Sequence, residues 1–200
     1  MPYTAPSRME TSPPPRHVSE LALGCIDYVR RSLDAPLDWT PETLPFLDAW
    51  LEKARGESRE QIVQLIAPAV GAYFGEVIRH SFRARWHAPT GTYAAWRIEL
   101  EECFLYFNPI GMVVEALQLE DSEGLGASIS LAEDLLGELH EHLERTAPVR
   151  VEDYYRLTTR FEVIDQVVHF LMVRRPARRS EDTSAEAYEA HAARDAPADA

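Results

Sequence analysis

The amino-acid sequence predicts an α+β fold: three N-terminal helices, a small antiparallel β meander, then two C-terminal helices packed on one face of the sheet. Three observations predict it. Apolar residues recur at helical spacing up to the stretch around Ile78, alternate with polar ones from Trp96 to Glu101, and return to helical spacing from Leu131 onward. Such segregation of helix from strand suits α+β, because a parallel α/β sheet needs the two to alternate along the chain.

The first helix starts after Ser19 and runs to about Leu33. A second takes Thr40 as N-cap, Pro41 as its first residue and Gly56 just past its end, with Leu44, Leu47, Trp50, Leu51 and Ala54 on one face. Ser58 and Gln61 make a capping box for the third helix, where Ile62, Ile66, Ala69, Val70, Tyr73, Val77 and Ile78 repeat at helical spacing. That helix is long, central and buried, and Pro68 within it removes a donor and bends it.

Its C-terminal half reads "GAYFGEVIRHSFRARW", residues 71–86. Gly71 and Gly75 are four apart, so they share one helix face. Each costs roughly 1 kcal/mol relative to alanine, so a compensating close approach of the sheet or of another helix is expected there. The run Tyr73, Phe74, Gly75, Glu76, Val77, followed by basic residues and Trp86, resembles a pattern in small bacterial domains of uncharacterised role. The resemblance implies a small bacterial α+β domain and brings no activity with it.

The meander follows. Trp96, Ile98 and Leu100 alternate with Arg97, Glu99 and Glu101, as in a strand with one wet face. "CFLYF" and "IGMVVEAL" read as two further strands, joined by a turn at Asn108, Pro109 and Gly111, and residues 83–88 add a short edge strand. Ser130 and Glu133 then form a capping box for a helix with Leu131, Leu135, Leu139 and Leu143 at successive turns, which Pro148 stops. A last helix, about 152–173, turns Tyr154, Leu157, Phe161, Ile164, Val168 and Leu171 to the core. The domain thus spans 19–175, between disordered tails at 1–18, rich in Pro, Ser and Thr, and 176–200, rich in Ala and charge.

Charge bounds the function. The chain carries a net charge of −13, and residues 20–175, with 15 basic and 26 acidic residues, account for −11 of it. Such a field disfavours nucleic acid and anionic membrane surfaces and speeds encounter with a basic protein. The longest stretch free of Asp, Glu, Lys and Arg, residues 61–75, is shorter than the roughly 20 needed to span a bilayer. No apolar signal sequence opens the chain, which predicts a cytoplasmic protein, and Cys25 and Cys103 read as small buried residues.

The charges are also segregated. Arg79, Arg83, Arg85 and Arg97, with His80 and His87, occupy a stretch without Asp or Glu, whereas Ile98–Glu144 holds twelve acidic residues and no Lys or Arg. The leading expectation is therefore a non-catalytic domain that binds a basic protein through Glu133, Asp134, Glu138, Glu141 and Glu144, an inhibitor or immunity-type protein being one concrete version. Pairing of the basic run with the acidic one inside the fold is the competing use of the same charges. A second expectation, from another class, is a small enzyme or ligand-binding domain with Glu76, His80 and Arg97 as its polar groups.

No cofactor or metal is expected. His140 and His142 are two residues apart on a helix, which sends their rings to nearly opposite sides. "GLGAS", residues 124–128, lacks the third glycine and the Lys of a phosphate loop, and Glu120, Asp121 and Glu123 precede it. GxSxG, P-loop and HExxH motifs do not occur.

Overall fold

A computed structural model describes residues 12–55, 60–122, 124–146, 149–150, 153–174 and 182–195. Among these residues the chain is α+β, with seven α-helices and one four-stranded antiparallel sheet of order β1-β2-β3-β4. Helices α1 (Arg16–Leu33), α2 (Leu44–Arg55) and α3 (Glu60–Ser81) precede strands β1 (Ala84–His87), β2 (Arg97–Leu100) and β3 (Leu105–Phe107). Helix α4 (Pro109–Gln118), strand β4 (Ser130–Leu131) and helices α5 (Leu136–Thr146), α6 (Leu157–Arg174) and α7 (Ala185–Asp195) complete the order.

Helix α3 is the central element, with every residue from Ala67 to Arg79 buried. Both α1 and α4 pack on it, and α2 bridges to α6. Pro68 is accommodated inside α3, buried with the residues around it. Both glycines of the quoted stretch are contact points, each with its own partner. A Cβ on Gly71 would lie 2.7 Å from the Ile110 Cα, so its absence lets the first turn of α4 lie directly on α3. A Cβ on Gly75 would lie 2.2 Å from the Trp86 indole, so its absence houses a side chain of β1.

Several expectations need correction. "IGMVVEAL" is helix α4, not a strand: the Asn108 side chain accepts from the amides of Ile110 (2.9 Å) and Gly111 (3.3 Å), and Pro109 takes the first turn. The same residues that suit a turn suit a helix cap, and an unbroken apolar run does not discriminate between strand and helix. The fourth strand comes instead from Ser130 and Leu131, which pair with Tyr106 and Leu105. Ser130 therefore makes no capping box; a 3-10 turn over Glu133–Leu135 leads into α5 with Ala132 at its cap position and no side-chain cap. Thr40 and Pro41 likewise open a 3-10 turn, and α2 begins at Leu44.

The first helix begins at Arg16, four residues earlier than expected, and α6 at Leu157, later than expected. Tyr154 is exposed and outside α6. Gly56, Ser58 and Pro148, with residues 1–11, 176–181 and 196–200 of the two tails, lie outside the described residues.

The largest departure joins two regions that the sequence keeps apart. Residues 182–195, read as part of a tail, lie across the sheet, with Thr183 and Tyr188 buried. Trp86 and Ile98, paired across β1 and β2, face α3, whereas Arg85, Glu99, Arg97 and Tyr106 face the C-terminal segment. The helices thus cover both faces rather than one. The strand alternation is as expected, yet all four residues of β2 are buried, because Arg97 and Glu99 have α7 above them instead of water.

Candidate functional site

Eight carboxylates of the acidic run fall into two groups with different fates. Glu99 and Glu115 are buried and paired with arginines, and Glu101 pairs with Arg83 at 3.3 Å. Glu141 and Glu144 are exposed on α5, on the side away from Leu139 and Leu143, and Glu138 is exposed on its flank, one turn on from Leu135, as a 3.6-residue repeat places them. Glu133 and Asp134, in the preceding 3-10 turn, are exposed as well. All five expected partner-binding residues therefore lie on one element and the turn that leads into it. Glu138 sits 3.6 Å from Arg174 and Glu144 3.2 Å from His140, with more than half of each of these side chains in solvent. His142 turns the other way, onto the Phe170 ring at 5.2 Å. Among the described residues no group of three or more His, Cys, Asp or Glu is placed to hold a metal ion.

Glu76, His80 and Arg97 are not brought together. Glu76 is buried on α3, where Oε1 accepts from Arg79 Nε (2.9 Å) and Trp86 Nε1 (2.8 Å) and Oε2 accepts from Arg79 Nη2 (2.7 Å). This carboxylate ties the end of α3 to β1 beside Gly75. His80 is exposed, stacks on Trp39 at 5.9 Å, and has Nδ1 2.7 Å from the Glu76 carbonyl. Arg97 is on the opposite face of the sheet, bonded to Glu99 and Glu189. Glu76 and His80 thus belong to α3, while Arg97 faces α7.

A charged cluster that the sequence reading missed lies between the sheet and α7. Glu99, 1% exposed, receives Arg97 Nε at 2.8 Å on one oxygen and Arg85 Nε at 2.9 Å on the other. Arg97 continues to Glu189 (2.8 Å), and Arg85 donates to the Thr183 carbonyl (2.8 Å). The anchor is Tyr188: its hydroxyl shares its one proton between the Leu100 (2.6 Å) and Cys103 (3.1 Å) carbonyls and accepts from the Leu105 amide (3.1 Å). Its ring stacks on Phe104 at 4.5 Å and lies under the Arg85 guanidinium at 5.5 Å. Burial pushes the Tyr188 phenol up, and bonding to Arg97 holds the Glu189 carboxyl below its ordinary range. Burial, then the charge of Arg97, lowers the His87 imidazole. The one signal in the sequence was Tyr188 itself, a large side chain alone in an alanine-rich stretch.

A cavity of about 310 Å³ opens beside Glu115, Ser122, Ser128, Tyr154 and Arg160. Inside it, Arg160 donates to Glu115 (2.7 Å) and packs over the Tyr154 ring at 4.6 Å, while the other Glu115 oxygen accepts from the amide and hydroxyl of Ser122. The pair is neutral in sum and holds α4, α6 and the Ser122 turn together. No expected site residue lines this cavity. Among the described residues no helix is long and apolar enough to cross a membrane. No protein-family model, curated protein or solved structure matches the chain.

Proposed function

We propose that this chain is a non-catalytic protein-binding domain that receives a basic partner on the acidic face of α5. One observation carries the reading: Glu76, Glu99 and Glu115 are consumed by buried arginine pairs, whereas Glu133, Asp134, Glu138, Glu141 and Glu144 stay in solvent along one helix and its lead-in turn. Exposed ion pairs such as Glu138 with Arg174 neutralise little of such a face, because water screens them. A predominantly acidic face, on which Arg145 is exposed and bonded to the Glu141 carbonyl, steers an oppositely charged protein and fixes its orientation more than it adds raw affinity. An inhibitor or immunity-type protein that covers a basic toxin or nuclease is the concrete version proposed.

The test is a triple variant, Glu138→Gln, Glu141→Gln and Glu144→Gln, compared with the unaltered chain in capture from an extract of the source cells. The expected result is a basic protein, eluted by salt from the unaltered chain, whose association with the variant is at least about tenfold slower while thermal stability is unchanged. Capture that responds neither to the substitutions nor to salt overturns the proposal.

A further inference from the structure

The C-terminal segment is docked like a bound peptide. Its grip comes from one buried ring, Tyr188, flanked by polar contacts from Thr183, Glu189 and His191, while Ala185, Glu186, Ala190, Ala193 and Arg194 face solvent. An eleven-residue helix is marginal in water by itself, so α7 owes its shape to the surface beneath it.

That surface is unusual for a permanent interface. Beneath α7 lie two guanidiniums, Arg85 and Arg97, and a single carboxylate, Glu99, so the sheet side of the contact carries one excess positive charge. Glu189 neutralises it through Arg97. Packing of apolar side chains would hold a helix permanently at lower cost than burying three ionised groups, whereas charged, hydrogen-bonded contacts favour selectivity and exchange. Around the cluster, Phe104, Tyr106 and the carbonyls of Leu100 and Cys103 define an aromatic slot with polar receptors at its base.

We propose that the outer face of the sheet is a docking groove for a short acidic helix bearing a tyrosine followed directly by a glutamate, and that residues 182–195 fill it reversibly in competition with such a helix on another protein. The aromatic slot selects the tyrosine, and Arg97 selects the acid next to it. This partner is opposite in charge to the one proposed for α5, so the two faces are separable. Tethering within one chain raises the local concentration of the native segment, and a partner must compete with that.

The probe is a fluorescein-labelled peptide of residues 182–195, titrated into the full chain and into full-length Tyr188→Ala, whose own segment has lost its anchor. Binding to Tyr188→Ala at least about tenfold tighter than to the unaltered chain is expected, together with loss of binding when the peptide itself carries Tyr188→Ala or Glu189→Lys. Equal binding to both chains, or none to Tyr188→Ala, overturns the groove. Should Tyr188→Ala fail to fold, a protease site placed within 175–181 of the unaltered full chain keeps the test decisive. After cleavage of the folded protein, exchange of the native fragment for labelled peptide supports the proposal, and a fragment that never exchanges overturns it.

Discussion

Trp86 occupies the space that a side chain at residue 75 would need: a Cβ built on Gly75 falls 2.2 Å from Cζ2 and 2.4 Å from Cη2 of the indole. The same indole donates to Glu76 Oε1 at 2.8 Å, so the ring is fixed at its edge as well as its face. Gly75→Ala therefore gains about 1 kcal/mol of helix propensity and loses more by displacing a rigid ring, a net destabilisation of about 1–3 kcal/mol. Gly24 in α1 is the control, since its Cβ would meet nothing nearer than 4.0 Å. Gly24→Ala stabilises by about 0.5–1 kcal/mol. Urea denaturation of the two variants checks both the signs and the contrast.

Asp48 on α2 caps a helix far away in sequence. Its Oδ1 accepts from the Leu157 amide (2.7 Å), and its Oδ2 accepts from the Thr158 amide (3.2 Å) and hydroxyl (2.6 Å), closing the N-terminus of α6. Asp48 is 8% exposed and its bond to the Leu157 amide is buried, so Asp48→Ala leaves that donor unpaired. The expected loss is about 2 kcal/mol, with Asp48→Asn intermediate because one acceptor oxygen remains. Chemical denaturation at neutral pH measures it, and an unchanged slope with denaturant shows that only stability has moved.

What was legible in the sequence was periodicity, and what was hidden was which distant segment closes over which surface. The helical faces of α2 and α3, the edge strand at residues 84–87, the alternation of β2 and the outward carboxylates of α5 all follow from spacing alone. The contacts that explain Gly71 and Gly75 did not, since nothing local singles out Ile110 and Trp86 as their partners. Asn108-Pro109 satisfies a turn and a helix cap equally, so α4 was decided by tertiary packing on α3. Arg97 and Glu99 look solvated until Tyr188, some ninety residues on, is placed over the sheet. Asp48 carried a readable signal: an acid among Leu44, Leu47 and Leu51 on a buried face has to meet donors.

Both thiols are sealed. Cys25 and Cys103 are fully buried and free, and burial pushes their thiols up, Cys103 to about 12. Without thiolate or access, neither reacts in the native state. Ellman's reagent at pH 8 is therefore expected to titrate no thiol in buffer and two in denaturant. Cys103 is the one to watch, because its carbonyl receives the Tyr188 hydroxyl. Under Tyr188→Ala, faster alkylation at Cys103 than at Cys25 reports loosening at the α7 end of the sheet.

Acid lowers the stability of the fold in two stages, through His87 and then through Glu189. The folded state lowers His87 from its ordinary 6.5, by burial first and then by Arg97, with Glu99 and Glu189 opposing and Arg85 assisting. As pH falls through about 6.5 the unfolded chain takes up this proton before the folded one, so stability drops until the folded imidazole also protonates. Glu189 has the second window: Arg97 holds it below its ordinary 4.5, so the stability it contributes is complete above that value and is lost as pH falls through the lower folded one. Both effects have the same sign. Stability from urea denaturation is expected to fall between pH 7.5 and 5 in the unaltered chain and to fall less in His87→Gln, whereas Glu189→Gln reduces only the response below pH 4.5. Equal pH responses in all three chains would rule out these two groups as its source.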